Sequence, residues 1–252
     1  MKKIKPLLFL FLATAATFLT SCSVDVEPLD PALLGELPTE NPGTNPGTNP
    51  GTNPGTPSGD YWPMAVNNTW TYNNNGTAEP PMKITSTEQI SGKTYYKYAN
   101  FIGTTTVQGS EFSGNIWTRK ENNTYFIRQE ASIPAQNGNP AITVLPIEIE
   151  ILKDNLAVNG TWNQTLTQTT MIGTISIPSV VEIIGKVLEK DAEITINGET
   201  YTQVIKVEVV QNTQGVSQSN LYWFAKNIGL IKSQSELGTT TSSYEIVSYN
   251  LN

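Results

Sequence analysis

The sequence predicts an all-β domain: a strongly curved antiparallel meander of the open or half-barrel kind, with a β-sandwich as the alternative. Alternation of polar and apolar residues runs through KITSTEQI, KTYYKYANFI, PIEIEILK, TWNQTLTQTTMI, EITINGETYTQVIKVEVV and SSYEIVSYNL. That period of two, with its Thr, Tyr, Val and Ile, belongs to half-buried strands. In PIEIEILK, Ile147, Ile149 and Ile151 take one face while Glu148 and Glu150 take the other. Turn-forming residues punctuate these runs at 91–93 (SGK), 121–123 (ENN), 137–139 (NGN), 158–160 (VNG) and 196–198 (ING). Short connections between alternating segments give antiparallel pairing. Helical periodicity is almost missing.

The chain has 252 residues, and two leading segments stand apart from this pattern. Residues 1–21 carry Lys2, Lys3 and Lys5, then an apolar run from Leu7 to Phe18. A positive start and a short apolar stretch read as a secretory signal, too short for a mature membrane span. Its end, Leu19-Thr20-Ser21-Cys22, resembles the bacterial lipobox. The resemblance implies cleavage before Cys22, acylation of that residue and attachment to a membrane through lipid. Each buried methylene adds about 0.8 kcal/mol, so several acyl chains hold firmly. Ser23, in place of aspartate, argues by the same analogy against inner-membrane retention. Asp25, Glu27 and Asp30 resemble an interrupted surface-export signal.

Residues 22–59 follow as a disordered linker. NPGT repeats four times over 41–56, and nothing in it can build a core. Residues 60–252 are then one all-β domain. Cleavage removes three lysines and no acids, so a formal charge of −7 becomes −10. An acidic surface without a basic run excludes nucleic acid as a partner. Cys22 is the single cysteine, so the chain forms no internal disulfide.

Inside the domain some strings recur. VNNTW, ending at Trp70, is echoed by VNGTW, ending at Trp162. Ile90-Ser91-Gly92-Lys93-Thr94-Tyr95 is echoed by Ile196-Asn197-Gly198-Glu199-Thr200-Tyr201, and Gly92 stands as far from Trp117 as Gly198 does from Trp223. Two similar meanders joined near 135–158 would produce this, and so would chance. The echo makes Trp70, Trp162 and Trp223 core anchors. Trp62, beside Pro63, and Tyr222 are the less constrained aromatics, and they are the candidate ligand contacts.

The chemical inventory is restrictive. The chain has no histidine, and its cysteine is committed to lipid. Ser-His-Asp and Cys-His catalysis are therefore excluded, as are zinc sites of the usual His and Cys type. No phosphate loop, dinucleotide fingerprint, nucleophile elbow or calcium loop is present. No cofactor, metal or catalytic residue is expected. Carboxylate pairs alone could hydrolyse a glycoside. The candidates are Glu148 with Glu150, and Glu189 with Asp191 and Glu193; a solvated strand face explains them more simply.

Tyr61-Trp62-Pro63 ahead of Asn67-Asn68-Thr69-Trp70-Thr71-Tyr72, together with INGETYTQVIKVEVV and LYWFAKNIGLIKSQS, resembles a family of Bacteroidota cell-envelope lipoproteins. Asn67 replaces the family's usual glycine. The resemblance implies an outer-membrane or surface location and a β-architecture, and it carries no activity. The expected role is non-catalytic: binding of a glycan or an envelope protein, or a structural task. The alternatives are a lipid or lipoprotein carrier with an apolar concavity and, less favoured, a glycoside hydrolase.

Overall fold

The computed structural model describes residues 59–102, 113–136, 138–237 and 240–252. The signal segment, Cys22 and the NPGT linker lie outside the described residues. Thirteen strands are found among those described: β1 (Thr69–Asn74), β2 (Thr77–Ala78), β3 (Met82–Ile90), β4 (Lys93–Ala99), β5 (Ser113–Glu121), β6 (Thr124–Ile133), β7 (Ile142–Lys153), β8 (Thr161–Ile172), β9 (Ile175–Ile196), β10 (Glu199–Thr213), β11 (Val216–Ala225), β12 (Gly229–Leu237) and β13 (Thr240–Asn250). All neighbours pair antiparallel in sequence order, apart from the two-residue β2, which hangs on β1.

The open or half barrel expected from the sequence is corrected here. β1 pairs with β13 from Thr69↔Asn250 to Asn74↔Tyr244, as well as with β3, and the sheet closes into a twelve-stranded barrel. Alternation alone is the same in open and closed sheets. Closure removes the two free edges that an open meander would expose.

Two stretches echoed in sequence make matching contacts. The Asn67 amide donates to Ile84 O (2.9 Å), and the Ile84 amide returns a bond to Asn68 O (3.0 Å). Likewise the Asn159 amide donates to Val187 O (2.8 Å), and the Val187 amide donates to Gly160 O (2.9 Å). Asn67 and Asn159 both take positive φ, 77° and 69°. The hairpins that follow turn through Ser91-Gly92 and Asn197-Gly198, with φ positive at all four residues. That is the geometry of a tight hairpin turn matching the twist of its strands. Beyond them Lys97 lies over the Trp117 ring at 5.3 Å and Lys206 over Trp223 at 5.0 Å. Strands β1 and β3–β7 form one half of the barrel, and β8–β13 form the other.

The two junctions between halves differ. β13 pairs with β1 along the whole of β1, with one register shift between Thr71 and Tyr72, whereas β7 and β8 pair only at Ile142↔Ile172, Thr143↔Met171 and Val144↔Thr170. Below that point a side chain replaces the ladder. Gln164 Nε2 donates to Glu148 O (3.0 Å), and its Oε1 accepts from the Glu150 amide (3.1 Å). The Trp162 indole N–H donates to Glu150 O (3.2 Å). These side chains satisfy β7 backbone groups that the parted strand no longer reaches.

The barrel interior changes character along its length. At the base, where the chain enters, Tyr61 and Trp62 are fully buried among Trp70, Tyr72, Ile84, Tyr98 and Phe224. Trp62 lies 5.5–6.3 Å, centroid to centroid, from Tyr98, Phe101 and Phe224. Trp70 and Tyr72 also donate to Ile228 O (2.7 Å) and Leu230 O (2.6 Å). Farther along, β8 and β10–β13 bury uncharged polar side chains, among them Gln168, Gln218, Asn220, Ser235 and Ser242.

Candidate functional site

At the base, β4 and β5 stay paired only from Tyr98↔Ile116 to Tyr96↔Thr118. A β-bulge between Ile84 and Ser86 shifts the β3–β4 ladder just before this point. Bulges add twist to a strand pair and re-aim its ends. The strands part beyond Tyr96 and Thr118, and the entering segment Asp60–Met64 fills the floor of the gap. The result is a cleft of about 450 Å³ lined by Asp60, Trp62, Met64, Lys93, Thr94, Tyr96 and the run Arg119-Lys120-Glu121. That volume lies within the range of small-ligand sites.

One wall is fixed by Arg119, whose side chain is 4% exposed. Its guanidinium stacks at 3.7 Å on Phe126, and its Nε donates to Glu148 Oε2 (2.9 Å). Nη2 pairs with the other Glu148 oxygen, and the Tyr95 hydroxyl donates to the same carboxylate. Burial works to raise the Glu148 carboxyl, but bonds from Arg119 and Tyr95 outweigh it and hold the group below its usual range. The remaining edge of Arg119, Nη1, meets Glu121 Oε2 at 2.6 Å, and Lys93 Nζ meets the same oxygen at 3.2 Å. Both cations lower the Glu121 carboxyl, Lys93 first.

Asp60 and Lys120, also on the cleft lining, belong to a cluster around the Tyr125 hydroxyl. This oxygen accepts from the Tyr61 amide (2.8 Å) and lies 3.0 Å from Asp60 Oδ1 and 3.3 Å from Asp154 Oδ2. A phenol has one proton, so it can serve only one of the two carboxylates. Lys120 Nζ stands 3.6 Å from Asp60 and 3.9 Å from Asp154, over the Tyr125 ring. Burial raises Asp154, more strongly than Lys120 and Tyr125 lower it. Burial and the two acidic neighbours likewise push the Tyr125 phenol far up.

The sequence candidates fall in different places. Trp62 does not lie at the surface: it is fully buried because the entering chain plugs the barrel base, and only its edge borders the cleft. Tyr222 is half-buried and pairs with Val207 and Ser233; its ring lies 6.2 Å from Phe224, which lies 5.5 Å from Trp62, and it does not line the cleft. Trp70 and Trp162 are core residues as expected. Trp223 is buried too, but on the side of β11 opposite Tyr222 and Phe224, beneath Lys206 and Lys232. Three of the five candidate carboxylates are drawn to a cation: Glu148 to Arg119, Glu150 to Lys153 (2.8 Å) and Glu189 to Lys206 (3.0 Å). Asp191 has φ of 54° within an irregular part of the β9–β10 ladder, and Glu193 is exposed.

Sequence reasoning missed Asp60, Lys93, Arg119, Lys120, Glu121 and Asp154. A usable signal was present: three consecutive charges, Arg119-Lys120-Glu121, end one strand, and a lysine follows the turn of a nearby hairpin. Consecutive charges on a strand place like residues on both faces, which a simple solvated face does not need. Among the described residues no group of three or more acidic, His or Cys side chains could hold a metal ion.

No known protein family matches the chain, and no curated protein shows significant similarity to it. Two solved structures resemble it in part. One is a protein of Parabacteroides distasonis designated a candidate lipoprotein, 12% identical with a TM-score of 0.45. The other is a protein of Bacteroides fragilis designated a candidate exported protein with a YmcC-like fold, 8% identical with a TM-score of 0.41. Each alignment covers 77% of this chain and 100% of the other.

Proposed function

We propose that this chain is a bacterial cell-envelope lipoprotein, anchored to the outer membrane through Cys22, whose barrel binds a ligand without transforming it. The cleft between the parted ends of β4 and β5 is the observation that carries the binding role. It is of ligand size, is bordered by Tyr96 and Met64, and is walled by charged groups held in place from behind. Signal, lipobox resemblance and linker support the envelope location. The non-catalytic reading rests on the pairing of Glu148, Glu150 and Glu189 with cations. Glu148, which backs the cleft through Arg119, is held ionised and cannot serve as a general acid near neutral pH. Carriage of an acyl chain is the weaker reading, because aromatic side chains occupy the apolar part of the interior.

The test is binding of envelope glycan fractions to the full-length protein in detergent, followed by isothermal titration. A cleft-filling variant, Thr94→Trp, serves as the control. Saturable binding lost in Thr94→Trp supports the cleft; binding indifferent to that substitution overturns it. Slow conversion of the bound glycan to smaller products would overturn the non-catalytic reading.

A further inference from the structure

We infer that the cleft contains a preformed anion position, occupied by the chain's own Glu121, and that its ligand is a sugar-sized molecule bearing one anionic group. This rests on the cleft being the binding site. Arg119 Nη1 and Lys93 Nζ converge on one oxygen, Glu121 Oε2, at 2.6 and 3.2 Å. The two sides of this contact are unequal. The Arg119 side chain is 4% exposed and fixed by the Glu148 carboxylate and the Phe126 ring, so its last free edge has one direction to face. The Glu121 side chain is 51% exposed and ends its strand, and among the described residues its ion pairs are with these two cations. A rigid, desolvated donor facing a solvated and easily moved acceptor is the arrangement in which an incoming carboxylate or phosphate can take the acceptor's place.

The second half of the barrel shows that the fold itself does not require this set. The spacing that carries Gly92 to Gly198 and Trp117 to Trp223 carries Lys93 to Glu199, Arg119 to Ala225 and Glu121 to Asn227. The equivalent hairpin and strand therefore form without any of the three. Lys120 adds a further cation at the cleft wall; neither of its acidic neighbours comes closer than 3.6 Å. The chain is acidic overall, yet three of its fifteen Lys and Arg residues line this one cleft.

The substitution Glu121→Gln removes the competing charge and keeps the strand end. Glucuronate, glucose 6-phosphate and glucose are titrated against the wild type and this variant, following the Arg119 side-chain Nε–H resonance. One acidic sugar should bind the variant at least tenfold more tightly than the wild type and shift that resonance. Tighter glucuronate identifies a carboxylate, and tighter glucose 6-phosphate identifies a phosphate. Adding Lys93→Gln to the variant should reverse most of the gain. Equal binding of glucose, or no gain in Glu121→Gln, overturns the anion position. Glycan binding lost in Thr94→Trp would then still stand, so failure of this inference is separable from failure of the cleft.

Discussion

Gly185 lies directly beneath the indole of Trp162: a Cβ added at Gly185 would come within 2.0 Å of the ring. The two residues are cross-strand partners in the β8–β9 ladder. Trp162 thus lies down over its neighbour and reaches the β7 backbone with its N–H. Gly185→Ala should push the ring off the strand and cost roughly 1–3 kcal/mol, the usual range for overpacking a core. Urea unfolding followed by tryptophan fluorescence measures it; an unchanged midpoint would show that the ring does not depend on the missing Cβ.

Gln164 bridges the parted strands with both ends of its amide. Replacing it with leucine keeps most of its bulk and strands the Glu150 N–H and the Glu148 carbonyl. Leaving buried backbone groups unpaired costs about 1–3 kcal/mol. The sharper readout is local: the Glu150 amide should exchange with solvent much faster in Gln164→Leu, while amides along the β13–β1 junction keep their protection.

Glu148 has a depressed carboxyl pKa in the folded chain, because Arg119 and Tyr95 outweigh its burial. Its stabilisation is therefore complete above the unfolded value, about pH 4.3, and is lost as pH falls through the lower folded value. Glu148→Gln should be destabilised at pH 7 and should show less loss of stability than the wild type on acidification below pH 4. Denaturant titrations at both pH values test this, and parallel curves would refute it.

Asp154 behaves in the opposite sense. Burial raises its folded pKa, so ionising it costs stability at neutral pH, and that cost fades as pH falls through the folded value toward about 3.9. Asp154→Asn keeps an acceptor for Tyr125 and is expected to be as stable as the wild type, or more so, at pH 7. The difference should vanish near pH 4. Marked destabilisation at pH 7 would mean that the ionised group is needed to balance Lys120.

The proposed lipid anchor at Cys22 predicts that membrane association depends on this residue while the stability of the barrel does not. Cys22→Ala should leave the protein in the soluble envelope fraction with an unaltered unfolding midpoint. Retention in the membrane fraction would show that something other than the lipid holds it.

Strands and turns were legible because alternation and Gly or Asn turns are local signals. Of the turns expected, those at Ser91-Gly92, Asn122 and Asn197-Gly198 connect hairpins, while that at Asn159 leads into β8 and joins no hairpin. Closure was not legible, since the pairing of Thr69 with Asn250 joins residues at opposite ends of the domain without a pattern in either segment. The burial of Trp62 was hidden for a similar reason. It lies outside any alternating run, and only the assembled base supplies Tyr98, Phe101 and Phe224 around it. The cleft depends on where two strands separate, which is a property of twist and bulges and not of the residues that line it.

The entering segment also has a mechanical meaning. Asp60 exchanges bonds with Asn227, Tyr61 is tied to Tyr125, and the last residue, Asn252, donates from its amide to Asn68 Oδ1 (2.8 Å). A pull on the preceding chain would meet the Tyr61 and Trp62 rings seated inside a closed barrel before it reached any strand. Force would fall first on the contacts with Asn227, Tyr125, Tyr98, Phe101 and Phe224 instead of unzipping β1 one hydrogen bond at a time. Under the proposed anchoring, a pull arriving through Asp60 would load this plug before the sheet.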